Sequence, residues 1–318
     1  MIHPQARALL DLIAANGVPP THTLTPVEAR RFYRERRRVT QPDPPDVDSA
    51  QDLSCPGPHG PISLRLYKPF MQPSGSAGGL LPVLVYFHGG GWTIGDLDTH
   101  DCLCRELCNA SGCAVLSVDY RMGPEHHFPC AVDDAIAATL WCRDQAAALG
   151  LDASRMAVGG DSAGGNLAAV VAIAARETGN LPLRYQLLIY PATDQRRGAP
   201  SHTTNGQGYL LTADTMRYFH DHYISDKQHD LDWRASPLLH PDLGRLPEAL
   251  VLTAGFDPLR DEGLQYSQAL TLAGTRATHI CFERQIHGFI TMGRVLDEAN
   301  AAVALCAAAL ARALRQGA

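Results

Sequence analysis

From about Leu80 onward, short apolar runs alternate with longer stretches in which apolar residues recur every three to four positions. The runs Pro82 to Phe87, Ala114 to Val118, Met156 to Val158, Gln186 to Tyr190, Ala249 to Ala254 and Thr278 to Glu283 predict strands. The spacing predicts helices over Thr99 to Asn109, Ala131 to Ala148, Ser162 to Arg176, Glu262 to Ala273 and Arg294 to Arg315. Ahead of them, Ala50 to Pro56 and Ile62 to Tyr67 read as an antiparallel pair about the Gly57-Pro58-His59-Gly60 turn. Alternation of this kind specifies an α/β fold: a mostly parallel sheet of eight strands with helices on both faces.

Two segments, residues 1–45 and 195–235, fall outside the alternation. The second carries Tyr209, Tyr218, Phe219, Tyr223 and Trp233 and is too long for an ordinary connection, which predicts an inserted helical element. An insertion at the carboxyl end of an open sheet can roof the crevice where such sheets hold ligands. The expected organisation is a helical cap made of residues 1–45 and 195–235 over a catalytic domain made of 46–194 and 236–318. Pro73 to Gly79 reads as a flexible surface loop.

Composition narrows the function classes. The 318 residues carry a formal net charge of -6, which disfavours nucleic acid as a partner. Arg30, Arg31, Arg34, Arg36, Arg37 and Arg38 are the local exception and read as the solvated face of a helix starting near Thr25-Pro26, with binding to an anionic membrane surface or nucleic acid as the alternative. No apolar run reaches the roughly 20 residues of a membrane span, and Met1 to Leu12 lacks the pattern of a signal peptide. A cytoplasmic location without membrane insertion is therefore the expectation. The nine cysteines are odd in number and fall mostly in apolar patterns, as reduced buried thiols do. Cys102, Cys104, Cys108 and Cys113 cluster without the paired spacing of a structural zinc site, so no metal is expected.

The chemistry is concentrated at predicted strand ends. Gly160-Asp161-Ser162-Ala163-Gly164-Gly165 lies between an apolar strand and an apolar helix, and places Ser162 at the corner. A tight turn with a capping serine would give the same motif. The surroundings favour a nucleophile. His88-Gly89-Gly90-Gly91-Trp92 follows the strand ending at Phe87, and its backbone N–H groups can approach a developing oxyanion. A serine nucleophile also needs a base and a carboxylate to orient it. Asp257 follows one strand and His287 follows the last, so the three occur in the order Ser, Asp, His. His88, His100, His127, His220 and His279 compete for the base role from weaker positions, as do Asp161, Asp194 and Asp261 for the carboxylate.

With these motifs the chain resembles the hormone-sensitive lipase family of bacterial carboxylesterases within the α/β-hydrolase superfamily. The matching residues are His88 to Trp92, Asp119-Tyr120-Arg121, Pro124-Glu125-His126, Phe128-Pro129, Gly160 to Gly165, Asp257 to Glu262 and His287-Gly288-Phe289. Tyr120 to His126 departs slightly from the family's usual Y-R-L-A-P-E-H. The resemblance implies Ser162 as nucleophile, His287 as general base and acid, Asp257 as its orienting carboxylate, and Gly90, Gly91 and Ala163 as oxyanion donors, with Gly89 as a further candidate. It implies hydrolysis of short- to medium-chain esters and favours a homodimer, with a monomer as the alternative. The chemistry requires no cofactor, and Trp92, Tyr190 and Tyr209 are candidate pocket residues, with core or cap packing as the alternative for each. An amidase, a hydrolase of a specialised ester and a non-catalytic small-molecule receptor of the same fold are the alternatives.

Overall fold

The apolar runs pair into one sheet in the computed structural model, which describes residues 1–70 and 79–315. The expected loop at Pro73 to Gly79 therefore lies outside the described residues except for Gly79. Strands β1 (Ser49–Gly57), β2 (Gly60–Lys68), β3 (Leu81–Phe87), β4 (Ala114–Asp119), β5 (Leu151–Asp161), β6 (Leu183–Ile189), β7 (Glu248–Phe256) and β8 (Ala277–Ile286) lie in the order β1-β2-β4-β3-β5-β6-β7-β8. β1 and β2 form the expected antiparallel hairpin, and β2 is also antiparallel to β4. The other neighbours are parallel.

Side-chain alternation in β3 shows how both faces are filled. Val83, Val85 and Phe87 enter one core with α4 (Cys130–Gln145), α5 (Ala163–Thr178) and α8 (Arg260–Leu272). Leu84 and Tyr86 enter the other, with α3 (Asp101–Ser111) and α9 (Asp297–Ala313). A central strand covered twice has no polar face, which is why its sequence is a continuous apolar run. The chain reverses its winding at β3, flanked by β4 and β5, and leaves a crevice at their carboxyl ends.

The segment 195–235 forms α6 (Pro200–Thr204), α7 (Ala213–Tyr223) and a 3-10 turn at Lys227–Leu231, while residues 1–45 form α1 (Pro4–Ala15) and α2 (Pro26–Thr40). Two of the strand ends that differ from expectation have a local cause. β5 starts at Leu151, where Asp152 bonds Ser154 and Arg155 in a polar stretch that hides the strand from a hydrophobicity reading. β6 stops at Ile189 because Tyr190 turns to φ +33°.

Helix α2 corrects the reading of the arginine cluster. Thr25 and Glu28 form a reciprocal capping box that starts the helix. Its arginines then point three ways. Arg31 and Arg38 are exposed without reaching the loops after β3 and β4, while Arg30, Arg34 and Arg37, spaced i, i+4, i+7, reach back to the body of the protein, Arg34 with its side chain still largely exposed. Arg30 donates to the carbonyls of Thr93 and Gly123 (both 2.8 Å) and to both oxygens of Glu125. Arg34 pairs with Asp96, and Arg37 donates to the carbonyl of Asp98. Three of the six are thus fasteners to the loops after β3 and β4 rather than a solvated face.

Arg30→Met should lower stability by about 2 kcal/mol in urea denaturation, because it strands two carbonyls and a carboxylate. Its hydrogen bonds to Glu125 hold that carboxyl down at about 2. A depressed carboxylate stabilises the fold fully above its unfolded value of about 4.3 and progressively less as pH falls towards its folded value. The stability gap between wild type and Glu125→Gln should therefore narrow between pH 5 and pH 2.5, as read from thermal midpoints.

Candidate active site

Ser162 sits where β5 turns into α5, at φ +56° and ψ -116°. That left-handed backbone angle is costly for a residue with a Cβ. It is enforced on both sides: Ser162 N donates to Ile189 O at 2.9 Å, and its carbonyl accepts from the N–H groups of Asn166 and Ala192. The turn also requires missing side chains nearby. A Cβ on Gly160 or Gly164 would collide with the Phe87 carbonyl oxygen at the end of β3.

Asp257 lies just beyond β7, fully buried, and His287 just beyond β8. Asp257 Oδ2 is 2.7 Å from His287 Nδ1, and His287 Nε2 is 3.0 Å from Ser162 Oγ. The second carboxylate oxygen of Asp257 accepts the Leu259 N–H at 2.8 Å, which fixes the carboxylate plane. Asn205, from the segment between α6 and α7, donates to the carbonyls of Gly255 and Asp257 and braces the same loop. The arrangement can pass a proton from a serine hydroxyl to an imidazole whose tautomer is set by a carboxylate.

The glycine loop lies opposite. Among the described residues, the N–H groups of Gly90, Gly91 and Ala163 have no backbone or side-chain acceptor, so they remain available to an oxyanion. Gly89 does not share this availability, because its N–H donates to Asp161 Oδ1 at 2.9 Å. Gly89 is thereby withdrawn from the set of candidate donors. Gly90 has φ +125° and Gly91 has φ +58°, and a Cβ on Gly91 would run into the Phe219 ring.

Asp161 is a residue whose structural importance the sequence reading missed. It is buried beside the nucleophile position and accepts from Tyr86 Oη (2.8 Å) as well as Gly89 N, with His100 Nε2 at 3.4 Å from its other oxygen. Burial alone would raise its pKa, but His100 and the Tyr86 hydroxyl outweigh burial and lower it. The ionised carboxylate therefore ties the glycine loop to the serine corner. The sequence offered only an acid immediately before the serine, and its pairing with His100, 61 residues away, is set by the tertiary structure. His88 stacks on Tyr120 at 4.4 Å, and burial together with neighbouring His100 pulls it down to about 4, so its ring is neutral near pH 7. His88 thus packs as a support of the glycine loop.

A cavity of about 420 Å³ reaches Ser162, His287, Gly90 and Gly91. Its walls come from α1, α2, α7 and the connections around them, including Leu9, Ile13, Leu211, Met216 and Phe219. Trp92 lines it, stacked on Tyr223 at 4.5 Å. The other two candidate pocket residues do not line it. Tyr190 is fully buried with its ring 4.7 Å from that of His287, and Tyr209 packs on Phe256 at 5.1 Å. Both are aromatic supports for the loops bearing His287 and Asp257.

All nine cysteines are free, and burial pushes the thiols of Cys102, Cys108, Cys142 and Cys306 up to about 12. Among the described residues there is no group of three or more His, Cys, Asp or Glu able to hold a metal, and no helix long and apolar enough to cross a membrane.

A doubly covered α/β sheet with a serine at a strand-to-helix corner, in line with a histidine and a buried aspartate, defines a serine hydrolase of the α/β type. Residues 84–291 match the model of a family described as having the alpha/beta hydrolase fold. The chain is 43% identical over 298 residues to the carboxylic ester hydrolase LipN of Mycobacterium tuberculosis, covering 92% of this chain and 77% of that protein. It is 38% identical to the ethyl acetate hydrolase of Pseudomonas putida, covering 97% and 98%. Among solved structures, an ester hydrolase from the metagenome of Lake Arreo superposes with a TM-score of 0.94 at 43% identity, covering 98% of this chain and 99% of that one. The hyperthermophilic esterase of the archaeon Pyrobaculum calidifontis does so with 0.91 at 40%, covering 98% of each. The chain belongs to the hormone-sensitive-lipase-like carboxylesterases of the α/β-hydrolase superfamily.

Proposed function

We propose that this carboxylic ester hydrolase cleaves short- to medium-chain esters through an acyl-enzyme on Ser162. Ser162 Oγ attacks the ester carbonyl as His287 Nε2 takes its proton, and the Asp257 carboxylate steadies the imidazolium. The tetrahedral oxygen is held by the N–H groups of Gly90, Gly91 and Ala163. The imidazolium then protonates the departing alcohol, a water gives its proton to His287 as it attacks the acyl carbon, and the acid leaves with Ser162 restored.

The observation that carries this reading is the unbroken chain from Asp257 Oδ2 through both ring nitrogens of His287 to Ser162 Oγ, at 2.7 and 3.0 Å. Residues 1–45 and 195–235 act as the cap, since α1, α2 and α7 wall the cavity above Ser162. An apolar space of this size supports a bounded acyl chain. In a 4-nitrophenyl ester series, kcat/KM should peak at about four to six acyl carbons and fall at least about tenfold by about twelve. A flat profile, or one rising to long chains, would contradict the enclosed cap. Matched amides should be far poorer substrates in the same assay. The nine free cysteines support a reducing compartment, and we place the protein in the cytoplasm.

A further inference from the structure

Helix α2 brings two arginines, Arg36 and Arg37, to the active-site cavity without an ion pair among the described residues, and only Arg37 is tied down, by the carbonyl of Asp98. Arg36 lies on the same helical face as buried Ala29 and as Tyr33, spaced i, i+4, i+7, and both Tyr33 and Arg36 line the cavity that reaches Ser162. Its neighbours on the adjacent face, Arg30, Arg34 and Arg37, are all engaged by the loops after β3 and β4. Arg36 is not. Its Nε is buried without a hydrogen-bond partner, and among the described residues its guanidinium makes no ion pair. Burial lowers its pKa from the usual guanidinium value, yet an arginine remains cationic near neutrality.

The carboxylates that share the cavity are already committed. Asp161 is held by Tyr86, Gly89 and His100. Asp194 is held by Arg196, and Glu262 accepts from Thr193 N and pairs with His202 at 2.6 Å. Arg197, also on the cavity wall, has no ion pair among the described residues either. The cavity thus presents Arg36 and Arg197 without ion pairs on a mostly apolar wall whose carboxylates are engaged elsewhere. A half-buried guanidinium whose Nε is buried without a partner favours a ligand that completes its hydrogen bonds and neutralises its charge.

We infer that Arg36 is a specificity-determining residue that recognises a carboxylate on the substrate, so that the preferred esters carry a second, ionised carboxyl group in addition to the scissile bond. The inference rests on the hydrolase reading above. A guanidinium can take a carboxylate in a two-pronged hydrogen bond that fixes the substrate's orientation as well as its charge. The ester carbonyl is left to the glycine loop.

Two substrate pairs test this. The mono-4-nitrophenyl ester of glutaric acid against 4-nitrophenyl pentanoate places the charge on the acyl side, and 4-acetoxybutanoate against its methyl ester places it on the alcohol side. Wild type should favour the carboxylate member of one pair by about tenfold or more in kcat/KM. Arg36→Gln should lower kcat/KM for that member by about tenfold, mostly through KM, and change the neutral member less than about threefold. Arg36→Lys should keep part of the preference, and 0.5 M NaCl should weaken it. Absence of preference in both pairs with wild type, or an equal loss on charged and neutral members in Arg36→Gln with the far-ultraviolet circular dichroism unchanged, overturns the inference. Failure of wild type to hydrolyse any of the four esters, charged or neutral, would instead overturn the hydrolase reading, and this inference with it.

Discussion

Ser162→Ala should retain the fold and thermal midpoint of the wild-type protein and lose at least about 10⁴-fold in kcat on 4-nitrophenyl butyrate. The size follows from how the proposed reaction is divided among residues. Without Oγ there is no covalent intermediate, and His287 and Asp257 have no nucleophile to activate. What remains is the glycine loop, which can still polarise a carbonyl, and this limits the residual rate to the small background of an unassisted water. The fold should survive because alanine keeps the Cβ that already tolerates φ +56°, and the backbone bonds to Ile189, Asn166 and Ala192 do not involve the side chain. Activity within about tenfold of wild type would remove Ser162 from the proposed role. A covalent fluorophosphonate label present in wild type and absent in Ser162→Ala would report on the same atom without relying on turnover.

The largest expected effect on stability comes two residues later. Gly164→Ala adds one methyl group where the Phe87 carbonyl oxygen already stands, with the His88 carbonyl close behind. Both obstacles are backbone at the end of a central strand, so neither can rotate away as a side chain would. The amino end of α5 must move off the sheet, at a cost on the order of 3 kcal/mol and a fall in thermal midpoint on the order of 5 to 10 °C. Activity should fall too, because the same displacement separates the Ala163 N–H from those of Gly90 and Gly91. Gly198→Ala is the matched control: nothing lies within 4 Å of its added Cβ, and its stability should stay within about 0.5 kcal/mol of wild type. Equal stability of the two variants in urea denaturation would show that the close approach of α5 to β3 is not required.

Much of the site was legible because its residues sit at punctuation. Ser162, Asp257 and His287 each follow an apolar run, and a parallel sheet aligns the carboxyl ends of its strands, so sequence positions far apart converge. Gly90 and Gly91 were legible for the same reason. The commitment of the Gly89 N–H to Asp161 was not, since nothing in a run of three glycines says which amide is already bonded. Tyr190 and Tyr209 looked like pocket residues because aromatic side chains near strand ends often are. The left-handed turn at Tyr190 instead buries its ring against His287.

The arginine cluster marks the boundary most clearly. Local sequence specifies a capped helix from Thr25 onward, and the strand and helix periods specify a doubly covered sheet with chemistry at one end. Those are short-range properties, fixed by backbone preference and by the burial of one face. Which of the six arginines meets Glu125, which meets Asp96 and which is left facing the cavity depends on the rotation of α2 about its axis against loops some 60 to 95 residues away. A turn of 100° per residue separates a fastener such as Arg37 from the uncompensated cation Arg36, and only tertiary packing chooses that phase.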